Sequence, residues 1–99
     1  MRVEWLPPAI EDLQRLRDFI LPHNPAAARR AVMIIKGAVD LLIANPGLGK
    51  PVADLPGFHD IVVPFGAAGY ILRYRLRTDV IYIVALRHGR EAGFPEFGE

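Results

Sequence analysis

The 99-residue chain has no cysteine, which excludes a disulfide scaffold and fits a reducing compartment. It also has no serine, which removes serine nucleophiles, the strained nucleophile elbow and the Ser/Thr-ended phosphate loop. Thr78, the only threonine, stands in a predicted turn. Long apolar runs are missing too: stretches such as Ile81-Tyr82-Ile83-Val84-Ala85-Leu86 last only a few residues. Neither a membrane-spanning helix nor a secretory signal is expected, and a soluble cytoplasmic protein is predicted. The three histidines, His23, His59 and His88, lack metal-ligand spacing, and no His–Glu pair falls at helical spacing. No metal and no cofactor are therefore expected.

Charge of neither sign dominates, with 12 basic residues against 11 acidic ones and a net charge of +1. The chain alone is thus not expected to bind DNA sequence-specifically, and any charged partner must be read from local clusters. Lysine is scarce: two residues against ten arginines. A G+C-rich genome would produce that skew, and so would a need for bidentate contacts to phosphate or carboxylate. Hydrophobic residues make up 52% of the chain, a globular balance. A chain of this length buries roughly two-thirds of its surface in one core. A single domain over residues 1–99 is expected, with a flexible tail at 92–99.

Met1 to Leu6 reads as a short strand with Val3 and Trp5 on one face and Arg2 and Glu4 on the other. Pro7-Pro8 stops it, and Pro8 can open a helix whose stripe is Ala9, Leu13, Leu16 and Ile20, with Ile10 and Phe19 beside it. Glu11 and Asp12 are expected in its first turn, at the positive end of the dipole. Asn24 caps a second helix begun by Pro25, with its stripe at Ala28, Ala31/Val32, Ile35, Ala38/Val39 and Leu42, and Asn45-Pro46-Gly47 ends it. Leu48 to Gly57 reads as a loop. In Pro46-Gly47-Leu48-Gly49-Lys50 no strand precedes the glycines, so a phosphate cradle is set aside. The period then becomes two: a strand from Phe58 to Pro64, a turn at Gly66 to Gly69, and a strand from Tyr70 to Arg77. A last strand, Val80 to Leu86, is predicted to be central and covered on both faces. The order β-α-α-β-β-β predicts an α+β fold, a helical hairpin packed on a small, mostly antiparallel sheet.

Residues 70–90 carry Arg73, Arg75, Arg77, Arg87 and Arg90 against one acid, Asp79, a formal charge of +4. Alternation puts Arg73, Arg75 and Arg77 on one face. Such a stripe is either a solvated sheet face or a target-binding surface made with Arg87, His88, Arg90 and Glu91. His88 between arginines could serve as an acid/base group, but no matched partner lies nearby in sequence. A structural hydrogen-bonding role is the plainer alternative.

These pieces together resemble the RelE/ParE toxin superfamily, the toxin half of bacterial type II toxin–antitoxin modules. The matching segments are Glu4-Trp5-Leu6-Pro7-Pro8-Ala9, Asn24-Pro25-Ala26-Ala27-Ala28-Arg29 and Asn45-Pro46-Gly47-Leu48-Gly49-Lys50-Pro51-Val52. Gly69-Tyr70-Ile71-Leu72-Arg73-Tyr74-Arg75 and Arg87-His88-Gly89-Arg90-Glu91 complete the match, in order along nearly the whole chain. The resemblance implies a cognate antitoxin, whose binding residues are left unassigned. It also implies one of two actions: ribosome-dependent messenger cleavage (RelE-like) or inhibition of DNA gyrase (ParE-like). RelE-like members use lysines on the strand before the Gly-Tyr turn, an arginine after Gly-Tyr, a late arginine and a tail tyrosine. Here Val62 and Ile71 stand where such groups are expected, Arg90 matches the late arginine, and the tail offers Phe94 and Phe97. His59 stands where many relatives carry arginine. These departures favour the ParE-like branch, with gyrase as target and Arg73, Arg75, Arg87, His88, Arg90 and Glu91 as the target-binding set. The alternatives are the ribonuclease, with Arg90 and His88 as catalytic residues and the ribosome as partner, or a decayed interaction domain.

Overall fold

The computed structural model describes residues 1–91, 93 and 94. Ala92 and residues 95–99, in the tail expected to be flexible, lie outside the described residues. Strand β1 (Arg2–Trp5) leads into helix α1 (Pro7–Ile20) and helix α2 (Pro25–Ala44). Strands β2 (Lys50–Pro51), β3 (Phe58–Val63), β4 (Tyr70–Leu76) and β5 (Val80–His88) follow. They form one sheet in the order β1-β5-β4-β3-β2. The β1–β5 pair is parallel and the others are antiparallel. None of the helices among the described residues is long and apolar enough to cross a membrane.

Both helices start where proline fixes the first φ, and Asn24 Oδ1 accepts the Ala27 N–H at 3.0 Å to cap α2. α1 starts at Pro7, two residues earlier than its apolar stripe. Glu11 and Asp12 therefore fall beyond the first turn, and Asp12 serves instead to accept the Leu86 N–H at 2.9 Å. Ala9 and Leu16 of α1 and Ala31, Ile35, Val39 and Leu42 of α2 pack against Leu72, Ile81, Ile83 and Leu86 of the sheet. Gly37 stands in the middle of α2 although nothing among the described residues lies within 4 Å of where its Cβ would be. Mid-helix glycine costs about 0.5–1 kcal/mol relative to alanine, so packing within the chain gives no reason for it.

Two expectations need correction. β5 is interior, but β4 holds the middle of the sheet and β5 lies next to the edge strand β1. The expected loop at 48–57 contains β2, whose Lys50 and Pro51 pair with Asp60 and His59. A two-residue edge strand carrying proline leaves no periodic signal.

Tyr74 holds that segment in place. Its buried hydroxyl donates to the Pro46 carbonyl at 2.7 Å and accepts the Gly49 N–H at 2.9 Å. Burial pushes the phenol above its ordinary range, the Gly49 N–H offsets part of that, and the group stays a donor. A Cβ at Gly49 would lie 2.8 Å from the Tyr74 ring and 2.9 Å from the Asp60 carbonyl oxygen, so only glycine passes here. Tyr74→Phe should therefore destabilise the chain by about 1–2 kcal/mol, because it strands the Pro46 carbonyl and the Gly49 N–H. Urea denaturation of the two proteins measures the difference; a change under a few tenths would mean the phenol does not secure the loop.

Candidate functional site

The face of the sheet away from the helices carries three cross-strand rows. Asp60, Arg73 and Ala85 make one, Phe58, Arg75 and Tyr82 a second, and Val62, Ile71 and Arg87 a third. The alternation predicted for β4 is the one observed: Tyr70, Leu72 and Tyr74 are buried under the helices, while Ile71, Arg73 and Arg75 face the other way. The arginines of this face are not equivalent. Arg73 forms a bidentate pair with Asp60, at 2.8 and 3.0 Å, in a partly buried position. Its guanidinium also lies 4.4 Å from the Phe94 ring centroid, and the Arg87 guanidinium lies 5.0 Å from the same ring. Arg75 stacks over Phe58 at 5.2 Å.

Arg75, Arg77 and Arg87 form no ion pair among the described residues. Arg87 donates to the carbonyls of His88 and Glu91, and its Nε is buried without a partner among the described residues. The open face thus sets Arg73, Arg75 and Arg87 of β4 and β5 against Asp60, with Glu4 beside Tyr82 on the edge strand β1. Aromatic rings hold the guanidiniums flat against the sheet.

His88, Arg90 and Glu91 are placed elsewhere. The ladder runs on to His88, two residues past the expected strand end, and there the chain turns back towards α1. Glu91 accepts from Arg15 at 2.8 Å and from the His88 N–H at 3.2 Å, while Arg15 also pairs with Asp12 at 3.7 Å. His88 Nδ1 accepts the Arg90 N–H at 3.2 Å, which leaves the proton of the neutral ring on Nε2. A Cβ at Gly89 would collide with the Ala68 carbonyl oxygen, so the turn can close on the β3–β4 connection only with glycine there.

Between this turn and α1 lies a groove of about 970 Å³. Phe19, Ile20 and Phe65 line it, with Arg15, His88 and Arg90 at its rim, and Phe19 is 78% exposed. Asp18 and Glu91 line it as well, so acids balance its arginines. The predicted six-residue surface is therefore two surfaces: Arg73, Arg75 and Arg87 on the open sheet, and His88, Arg90 and Glu91 at the groove. Among the described residues no carboxylate hydrogen-bonds the His88 ring, and Glu91 is committed to Arg15 and to the His88 backbone. Among the described residues no group of three or more His, Asp or Glu could hold a metal ion.

Val62 and Ile71 sit directly opposite each other on the open face, and Val62 is 63% exposed. The arginine sharing their row is Arg87, whereas Arg90 lies at the groove. His59 belongs to the other face, stacked on Tyr74 at 5.2 Å, and its buried Nδ1 has no partner among the described residues. Phe97 lies outside the described residues. Sequence reasoning missed Asp12 and Arg15, which join residues more than seventy positions away and leave no local signal. It also missed Asp60, although the Gly66–Gly69 turn and strand alternation place Asp60 opposite Arg73.

Comparison with known proteins covers nearly the whole chain. The family described as ParE toxin of type II toxin–antitoxin system, parDE, matches residues 3–93. Toxin RelE3 of Caulobacter vibrioides is 36% identical over 89 residues, covering 90% of this chain and 95% of its own. Toxin RelE1 of the same organism is 32% identical over 83 residues, covering 84% and 87%. A solved structure, the chromosomal ParDE TA system from P. aeruginosa, superposes with a TM-score of 0.74 at 25% identity, covering 89% of this chain and 95% of that one. The shared fold is two helices on a five-stranded mixed sheet.

Burial acts to raise the Glu91 carboxyl, but the Arg15 hydrogen bond, the His88 N–H and the Arg15 charge outweigh it, so it titrates below its ordinary range. The folded state therefore gains stability above the unfolded carboxyl value and loses it as pH falls through the folded one. Glu91→Gln should cost about 0.5 kcal/mol at pH 7, the scale of a half-exposed ion pair, and less at pH 3. Urea midpoints at the two pH values test this; an equal loss at both would assign the effect to packing and not to charge.

Proposed function

Because the chain belongs to the ParE toxin family of type II toxin–antitoxin systems, we propose that it arrests growth by binding DNA gyrase and is neutralised by its cognate antitoxin. The observation that carries this reading is the composition of the open sheet face. It offers Arg75 and Arg87 with no ion pair among the described residues, while Val62 and Ile71 occupy the positions where the resemblance implies lysine and arginine for messenger cleavage. Cutting RNA at its 2′-hydroxyl needs a general base and groups that stabilise developing charge, each supplying about 10²–10⁴ in rate. A valine and an isoleucine supply neither. Inhibition by binding needs only a shaped, charged surface that is held rigid. The Arg73–Asp60 pair and the rings of Phe58 and Phe94 hold this one.

A purified preparation should block gyrase supercoiling or accumulate cleaved DNA, leave ribosome-bound messenger uncut, and be reversed by the cognate antitoxin. Arg75→Ala combined with Arg87→Ala should abolish the effect on gyrase while the circular dichroism spectrum stays that of the folded chain. Codon-specific cleavage of ribosome-bound messenger with gyrase unaffected would replace this reading with the ribonuclease one. Inhibition that survives the double substitution would return the arginines to the role of a solvated face.

A further inference from the structure

The outward face of α2 carries exposed apolar side chains that the arginine surface does not use. Helical geometry centres that face on Gly37, with Met33 and Leu41 one turn away on either side and Ile34 beside them. Met33 is 71% exposed, Leu41 57% and Ile34 38%. Lys36 and Asp40 run along the flank opposite Ile34, and neither forms an ion pair among the described residues. A mid-helix glycine with empty space over it weakens α2 for no benefit within one chain. It does, however, allow another backbone to approach closely at that point.

We propose that this face docks on the same face of a second copy, the two α2 helices crossing antiparallel at Gly37. The pattern is self-complementary about that residue. Antiparallel pairing brings together positions equally spaced on either side of the centre, so Met33 of each copy meets Leu41 of the other. Lys36 and Asp40 share a flank, so each Lys36 comes alongside the other copy's Asp40, and two ion pairs border the apolar strip. A parallel crossing would instead lay Lys36 and Asp40 against Ile34, burying charge without a partner. α2 covers the helical side of the sheet, so both arginine faces point away from the contact and stay free.

The test is the mass of the full-length chain in sedimentation velocity as concentration rises through the micromolar range. A dimer is expected, and Leu41→Glu, at an exposed position, should return it to a monomer with an unchanged circular dichroism spectrum. Lys36→Glu should weaken association by roughly tenfold or more, and adding Asp40→Lys should restore it. Because the chain has no cysteine, Gly37→Cys is a clean reporter. Oxidation should link it into a covalent dimer, whereas Arg29→Cys, far from the axis, should stay unlinked. A monomer at every concentration would overturn the proposal, as would a dimer indifferent to Leu41→Glu. A monomer whose Leu41→Glu variant loses cognate antitoxin would also overturn it, and would assign the face to the antitoxin.

Discussion

Two helices of 14 and 20 residues can cover only one face of a five-stranded sheet, and each strand answers to that asymmetry. On the covered side the strands supply Tyr70, Leu72, Tyr74, Ile81, Ile83 and Leu86, closely packed and free of buried charge. On the other side water must be faced, and β4 does so with arginine at alternate positions. A row of like charges on adjacent turns of one strand would repel. The surface therefore needs Asp60 against Arg73 and aromatic rings beneath the remaining guanidiniums.

That arrangement gives the open face its character. Guanidiniums stacked on rings lose less freedom when a partner arrives than unrestrained ones would, so binding a shaped anionic surface costs less entropy. Val62 and Ile71 add an apolar patch next to Arg87, which favours association and offers no proton-transfer chemistry. The turn at 88–91 is built for a different purpose. Its backbone and side chains are spent on one another and on Arg15, so His88 is held in place instead of being left poised to react.

Much of this was legible in the sequence. Proline at both helix starts, Asn24 as a cap and the three-four apolar spacing fixed the hairpin, and strict alternation in Tyr70 to Arg77 sorted the faces of β4. Three kinds of information were not local. The two-residue β2 exists because Tyr74 reaches across to Pro46 and Gly49, a tertiary bond with no periodic trace. The separation of His88 and Arg90 from Arg73 and Arg75 depends on where the chain turns after β5, which Glu91 decides by reaching Arg15 on α1. The bulge between Arg73 and Tyr74, which leaves Val84 unpaired, shifts which residues of β5 face the core. Two residues beyond it the Leu86 N–H is met by Asp12, a residue whose sequence position suggested only a dipole effect.

The central claim is that the open sheet face is the working surface. Arginine-directed covalent labelling of the chain, alone and mixed with gyrase, tests it residue by residue. Arg73, Arg75 and Arg87 should become protected while Arg29 and Arg30 on α2 label as before. Protection confined to α2, with the three sheet arginines still labelled, would contradict it.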